Sequence, residues 1–247
     1  MKKLTLVVLA ALLAVALGVS GAMASKVNVY LDTSTYGAKP DLRVNGTYIE
    51  NAVTAQMAVR VFEVDSLGVQ TDTMVTSGFA YCMDLLQTIG NGQNTNYFTD
   101  DAGNVTGGLE TVWLMDSFAP GLGNDYANIS DTITAVQIAI WEVVYDTWSP
   151  TQSYSLSSGS FKAWGVDSDI LGLANSYLTA LGEAKANNTF VQEANDVKYK
   201  FTALVSDTKQ DLMVGNPNAE TPEPGSLLLL GSGLAGLVAW RRRRKVY

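Results

Sequence analysis

The chemistry open to this chain is bounded by two counts: no histidine and one cysteine, Cys82. Without histidine neither a Ser-His-Asp nor a Cys-His relay can be built, and every His-ligated metal site is excluded. One cysteine cannot form a disulfide within the chain, and the usual zinc constellations are missing too. No metal and no cofactor is expected. A solitary cysteine of this kind is a buried small apolar residue, a free reactive thiol, or one half of an unusual covalent bond. Composition alone favours the first. Acid pairs such as Asp100 and Asp101 sit among Gly and Asn and read as loop solvation, so a hydrolase is not expected.

The surroundings of the cysteine change that balance. Cys82 lies in Phe79-Ala80-Tyr81-Cys82-Met83-Asp84, and Gln137, 55 positions later, lies in Thr134-Ala135-Val136-Gln137-Ile138-Ala139-Ile140-Trp141. The two segments resemble the paired motifs of the bacterial surface thioester domain. Those motifs are an aromatic-Cys-apolar-acid step and a Gln ahead of a small residue, an aliphatic one and Trp. The Tyr81–Asp84 step matches fully; the residue before the glutamine, often Thr in the family, is Val136 here. The resemblance implies an internal thioester between the Cys82 sulfur and the Gln137 side-chain carbonyl, supported by Tyr81, Asp84 and Trp141. Attack of a thiolate on the carboxamide expels ammonia and leaves an acyl-sulfur bond. Amides are poor electrophiles, so the two groups must be held together and water kept out. Tyr81, Trp113, Trp141, Tyr145 and Trp148 are candidates for that shield, although core packing is the commoner role of such rings. A thioester of this kind would trap a nucleophile. With no histidine to deprotonate an alcohol, an amine is the expected target.

The elements that must position this pair can be read on either side of it. Met57 to Val64 alternates well enough for a strand, Asp65-Ser66-Leu67-Gly68 supplies a turn, and Met74 to Met83 reads as a second strand. Gly90 to Asn94 and Asp100 to Asn104 read as loops. Ile133, Val136, Ile140, Trp141, Val144 and Tyr145 make a helical stripe opened by Ser130 or Asp131, a rigid mount for Gln137. A second helix starts at Asp167 or Ser168, with Ile170, Leu173, Ala174, Tyr177, Leu178 and Leu181 on one face. Lys198 to Val205 returns to strand texture, whereas Asn187 to Asn195 and Asp211 to Glu220 read as connectors. The expectation is an α+β fold: a single β-rich ectodomain with one or two packed helices.

The two ends set the compartment. Met1-Lys2-Lys3, an apolar run from Leu4 to Val19 and Ala22-Met23-Ala24 form the three parts of a secretory signal, with cleavage expected after Ala24. At the other end Pro222-Glu223-Pro224 precedes fourteen apolar or small residues, Leu227 to Trp240, and then Arg241, Arg242, Arg243, Arg244 and Lys245. The run is shorter than the ~20 residues of a comfortable span, and the basic cluster would stay cytoplasmic. This order of parts resembles the PEP-CTERM sorting signal of Gram-negative bacteria. The resemblance implies an exosortase-type membrane protease as a partner, after a secretion translocon, and a destination at the cell surface or extracellular matrix by way of the inner membrane.

The expected organisation is therefore signal peptide 1–24, thioester-domain-like ectodomain 25–214, linker 215–220 and sorting signal 221–247. The whole chain carries −8; with both ends removed, nine basic residues face 23 acidic ones, a net −14. Such a surface repels nucleic acid. The functional expectation is an adhesin that captures a surface amine covalently and is not an enzyme. The alternative is a matrix or biofilm scaffold with no thioester bond.

Overall fold

The computed structural model describes residues 24–121, 129–149 and 153–217. Six strands, β1 (Lys26–Tyr36), β4 (Ala55–Val64), β5 (Gln70–Cys82), β6 (Gly92–Asp100), β8 (Lys200–Val205) and β9 (Leu212–Asn216), close into an antiparallel barrel of order β1-β4-β5-β9-β8-β6. A three-stranded sheet of order β3-β2-β7 lies apart from it, made by β2 (Asp41–Val44), β3 (Thr47–Ile49) and β7 (Phe161–Trp164). Four α-helices complete the described fold: α1 (Gly108–Phe118), α2 (Ser130–Tyr145), α3 (Ser168–Ala186) and α4 (Phe190–Asn195). Among the described residues no helix is long and apolar enough to cross a membrane.

Alternation along the strands divides the core in two. Val27, Val29, Val59, Val61, Leu204 and Val214 fill the barrel interior, each worth roughly 1.5–3 kcal/mol when fully buried. Phe79, Tyr81 and Met83 point to the other side, where they join the helices around Trp141 and Ile138. The end of β5 from Phe79 is thus apolar on both faces, and Ala80 and Cys82 turn inward with the barrel.

The mainly β fold with packed helices is as the sequence predicts, and the Gln137 helix and the helix from Asp167 are present. Asp167 caps the latter by accepting from Asp169 N–H at 3.0 Å. Two further helices were not read. α1 is buried through five consecutive residues, Thr111 to Met115, which blurs its helical stripe, and α4 falls in a stretch that reads as a connector. Asp211 to Glu220 also has the sequence texture of a connector. There β9 closes the barrel, with Leu212 and Val214 inside and Met213 against the helices; a strand covered on both faces loses its alternation. β9 also carries Gly215 and Asn216 into the barrel, two residues beyond the ectodomain boundary set above. Gly92 to Asn94, read as loop, begins β6, where only Asn94 and Tyr97 are buried. The signal peptide as far as Met23 and the sorting signal lie outside the described residues.

Candidate functional site

Cys82 ends β5 at a place where the sheet runs out of partners. Main-chain groups along a strand alternate between its two neighbours. Met83 N–H donates to Asp211 O at 2.8 Å beside β9, so Cys82 presents its own N–H and C=O toward β4. The β4–β5 register, however, stops at Met57 and Ala80. Gln137, in the middle of α2, takes the vacant position. Its Nε2 donates to Cys82 O at 2.7 Å, and its Oε1 accepts from Cys82 N–H at 3.2 Å. A fixed donor and a fixed acceptor on one residue allow the carboxamide a single orientation. Gln137 is fully buried and Cys82 is 8 % exposed.

The helix that carries Gln137 is pinned one turn earlier. Thr134 Oγ1 accepts from Ala38 N–H at 2.7 Å and donates to Ser130 O at 2.9 Å. Thr54 Oγ1, 3.2 Å from Thr134 Oγ1, donates to Ala38 O at 2.5 Å. Gly37 makes this approach possible, since a methyl group there would lie 2.2 Å from Thr134 Oγ1. Residue types alone give Thr134 no role. Its spacing of three from Gln137, which puts both on one helical face, was the available signal.

The three supporting residues are all near. Tyr81 is fully buried on the helix side, its hydroxyl 3.4 Å from Gln56 Nε2. Asp84 accepts from Tyr145 O–H at 3.0 Å and Leu86 N–H at 2.7 Å, while Tyr145 accepts from Leu85 N–H at 2.9 Å. Gln210, distant in sequence, donates to Asp84 O. Together these bonds fix the chain leaving Cys82. Trp141 is 1 % exposed, and its Nε1 has no partner among the described residues. Two of the other proposed shielding rings stand elsewhere: Trp113 donates to Glu193 at 2.7 Å, and Trp148 covers Lys185.

Burial first, and the Asp84 charge second, push the Cys82 thiol up to about 12. The free thiolate is thereby scarce at neutral pH. A cavity of about 320 Å³ reaches Cys82, lined by it and Trp141 together with Leu31, Ala55, Met57 and Leu85; no charged side chain lines it. Among the described residues no group of three or more Cys, Asp or Glu is placed to hold a metal ion.

Glu142 follows Trp141 on α2 and is 1 % exposed. Its Oε1 accepts from Ser155 N–H at 2.7 Å, and its Oε2 has no partner among the described residues. Burial pushes its carboxyl up to about 7, with the Ser155 N–H opposing and Asp146 reinforcing the rise. An acid raised in the folded state stabilises fully below its ordinary 4.5 and loses that contribution as pH rises through about 7. Glu142→Gln is therefore expected to flatten this fall. Denaturant midpoints should show it more stable than the parent at pH 8 by about 2–3 kcal/mol, and level with it near pH 4.

At the carboxyl end a family comparison is decisive. The PEP-CTERM protein-sorting motif matches residues 220–244, which take in Pro222, Glu223, Pro224 and Arg241 to Arg244. The chain carries a PEP-CTERM sorting signal. It is thus an exported protein that transits the membrane to the cell surface, with exosortase, a membrane protease, as the processing partner. Among solved structures the chain is similar to the N-terminal domain of the Streptococcus pyogenes pilus tip adhesin Cpa. Identity is 17 %, 76 % of this chain and 96 % of that one are covered, and the TM-score is 0.38. A likeness so distant leaves the site to be read from its own geometry. No curated protein sequence matches the chain.

Proposed function

We propose that Cys82 and Gln137 condense to an internal thioester, and that this surface protein uses it to fix itself covalently to an amine on a neighbouring molecule. The observation that carries the reading is the two-point hydrogen bonding of the Gln137 carboxamide to the Cys82 main chain. The Cys82 sulfur adds to the carboxamide carbon. Negative charge then gathers on Oε1, where Cys82 N–H already donates, as an oxyanion donor should. Nε2, resting on Cys82 O, takes the thiol proton and leaves as ammonia. The carbon–nitrogen bond is exchanged for a carbon–sulfur bond, and the product is neutral. Burial that disfavours a thiolate and a carboxylate also disfavours hydrolysis, which would create a buried acid at position 137.

Capture is the reverse kind of exchange. An amine attacks the acyl carbon, an amide forms on Gln137, and the amine's proton goes to the Cys82 sulfur. Each chain reacts once, so the protein is an adhesin rather than an enzyme. A matrix or biofilm scaffold is the second reading, and one observation favours it: the same two hydrogen bonds already satisfy Gln137 and Cys82 without any covalent link.

Intact mass separates the two. The exported domain is expected to weigh one ammonia less than its sequence and to show no titratable thiol. Methylamine should restore a thiol and add its full mass to that species, leaving the adduct one methylene heavier than the sequence. Cys82→Ala should have its full sequence mass and ignore methylamine. An unmodified parent mass with a free thiol would remove covalent capture and leave the scaffold.

A further inference from the structure

The cavity beside Cys82 has a chemical character that the acidic exterior does not share. Its walls are mainly apolar, with Leu31, Ala55, Met57 and Trp141 among them; Gln87, Asn91 and Gln210 add polar groups, and none of the lining side chains carries a charge. At its mouth Val53 and Tyr36 are 53 % and 56 % exposed, which leaves a way in from solvent. Gln137 does not line it, and Cys82 does. A nucleophile that arrives by this route passes through uncharged, mainly apolar surroundings and meets the pair from the Cys82 side.

From this we infer that the cavity is a stem-binding site, selecting primary amines borne on an unbranched apolar chain with no second charge near the reacting nitrogen. The inference rests on the thioester reading and specifies its substrate class. Two physical effects support it. Each methylene moved from water into apolar walls raises the reaction rate by roughly fourfold if it stays buried in the transition state. A charge on the stem finds no carboxylate, lysine or arginine in the walls to compensate its lost hydration. The outer surface, net negative, gathers ammonium ions; the cavity holds no carboxylate to keep one protonated, and the free base is the form that attacks. The step itself is the exchange already given: the new bond is amine nitrogen to Gln137 carbon, the broken bond is that carbon to Cys82 sulfur, and sulfur takes the proton.

The test uses the exported domain carrying its ammonia deficit, with methylamine, n-butylamine, n-hexylamine and 1,4-diaminobutane at equal free-base concentration. Adducts are timed by intact mass. Rates should rise at least about tenfold from methylamine to n-butylamine, and 1,4-diaminobutane should fall below n-butylamine. Val53→Asp alters an exposed residue at the mouth, and it should narrow or reverse the gap between the butyl amine and the diamine. A flat series, or a diamine faster than n-butylamine in the parent, overturns the stem preference while the thioester stands. A parent of full sequence mass before any amine is added overturns both.

Discussion

Gln137→Glu is expected to leave the exported domain at its full sequence mass and inert to amines, and to destabilise it by about 3 kcal/mol or more at pH 8. Two causes act together. A carboxylate is no electrophile for sulfur, so no acyl bond forms. The new oxygen also sits where Nε2 donated to Cys82 O at 2.7 Å, and two acceptors then face each other in a buried site. Protonation repairs the second fault alone, since a carboxylic acid can donate to Cys82 O and accept from Cys82 N–H. Stability of the variant should thus recover toward the parent between pH 8 and pH 5, with no return of amine capture. Chemical denaturation at both pH values, beside intact mass, checks this. Gln137→Ala is the control: it loses the bond at any pH and leaves both main-chain groups unpartnered, with no such recovery.

Trp141→Ala should cost about 3–5 kcal/mol, the range for truncating a large buried aromatic. It is 1 % exposed, one turn beyond Gln137, and it forms part of the cavity wall at Cys82. Removal joins the new void to the cavity and would admit water to the acyl carbon of the proposed thioester. The purified variant should therefore accumulate hydrolysed chain, heavier than the thioester form by one water, during storage at neutral pH. Trp141→Phe keeps most of the apolar surface and discards an indole N–H that has no partner among the described residues. It should lose far less stability and hold its ammonia deficit. Thermal unfolding and time-resolved intact mass read the two variants side by side.

Much of the pairing was legible because it is written in residue identity. A lone Cys in Tyr81-Cys82-Met83-Asp84 and a Gln on a buried stripe ahead of Trp141 can be found without coordinates. Their supports are harder to find because they are made by strand geometry. That Cys82 lacks a neighbour on its β4 side follows from a register ending at Met57 and Ala80, which no local pattern encodes. The hydroxyl contact between Thr54 and Thr134 joins residues 80 apart. β9 went unread because three consecutive apolar residues serve two different cores, and α1 because its buried middle hides the helical stripe. In each case burial on all sides erased the periodicity that a one-dimensional reading depends on.

The placement of β9 bears on how the molecule would carry a pull. β9 ends at Asn216, and the sorting motif begins at 220, so a pull on the carboxyl end would enter the barrel through that strand. β9 is bonded on one side to β5 from Phe79 to Cys82 and on the other to β8 from Lys200 to Leu204. Drawing it out lengthwise must shear both ladders together rather than unzip one bond at a time. The strand that takes the load is also the neighbour of Cys82. A pull on that end would thus reach the seat of the proposed bond through a single row of peptide contacts, and through Met213 it would load the helices as well.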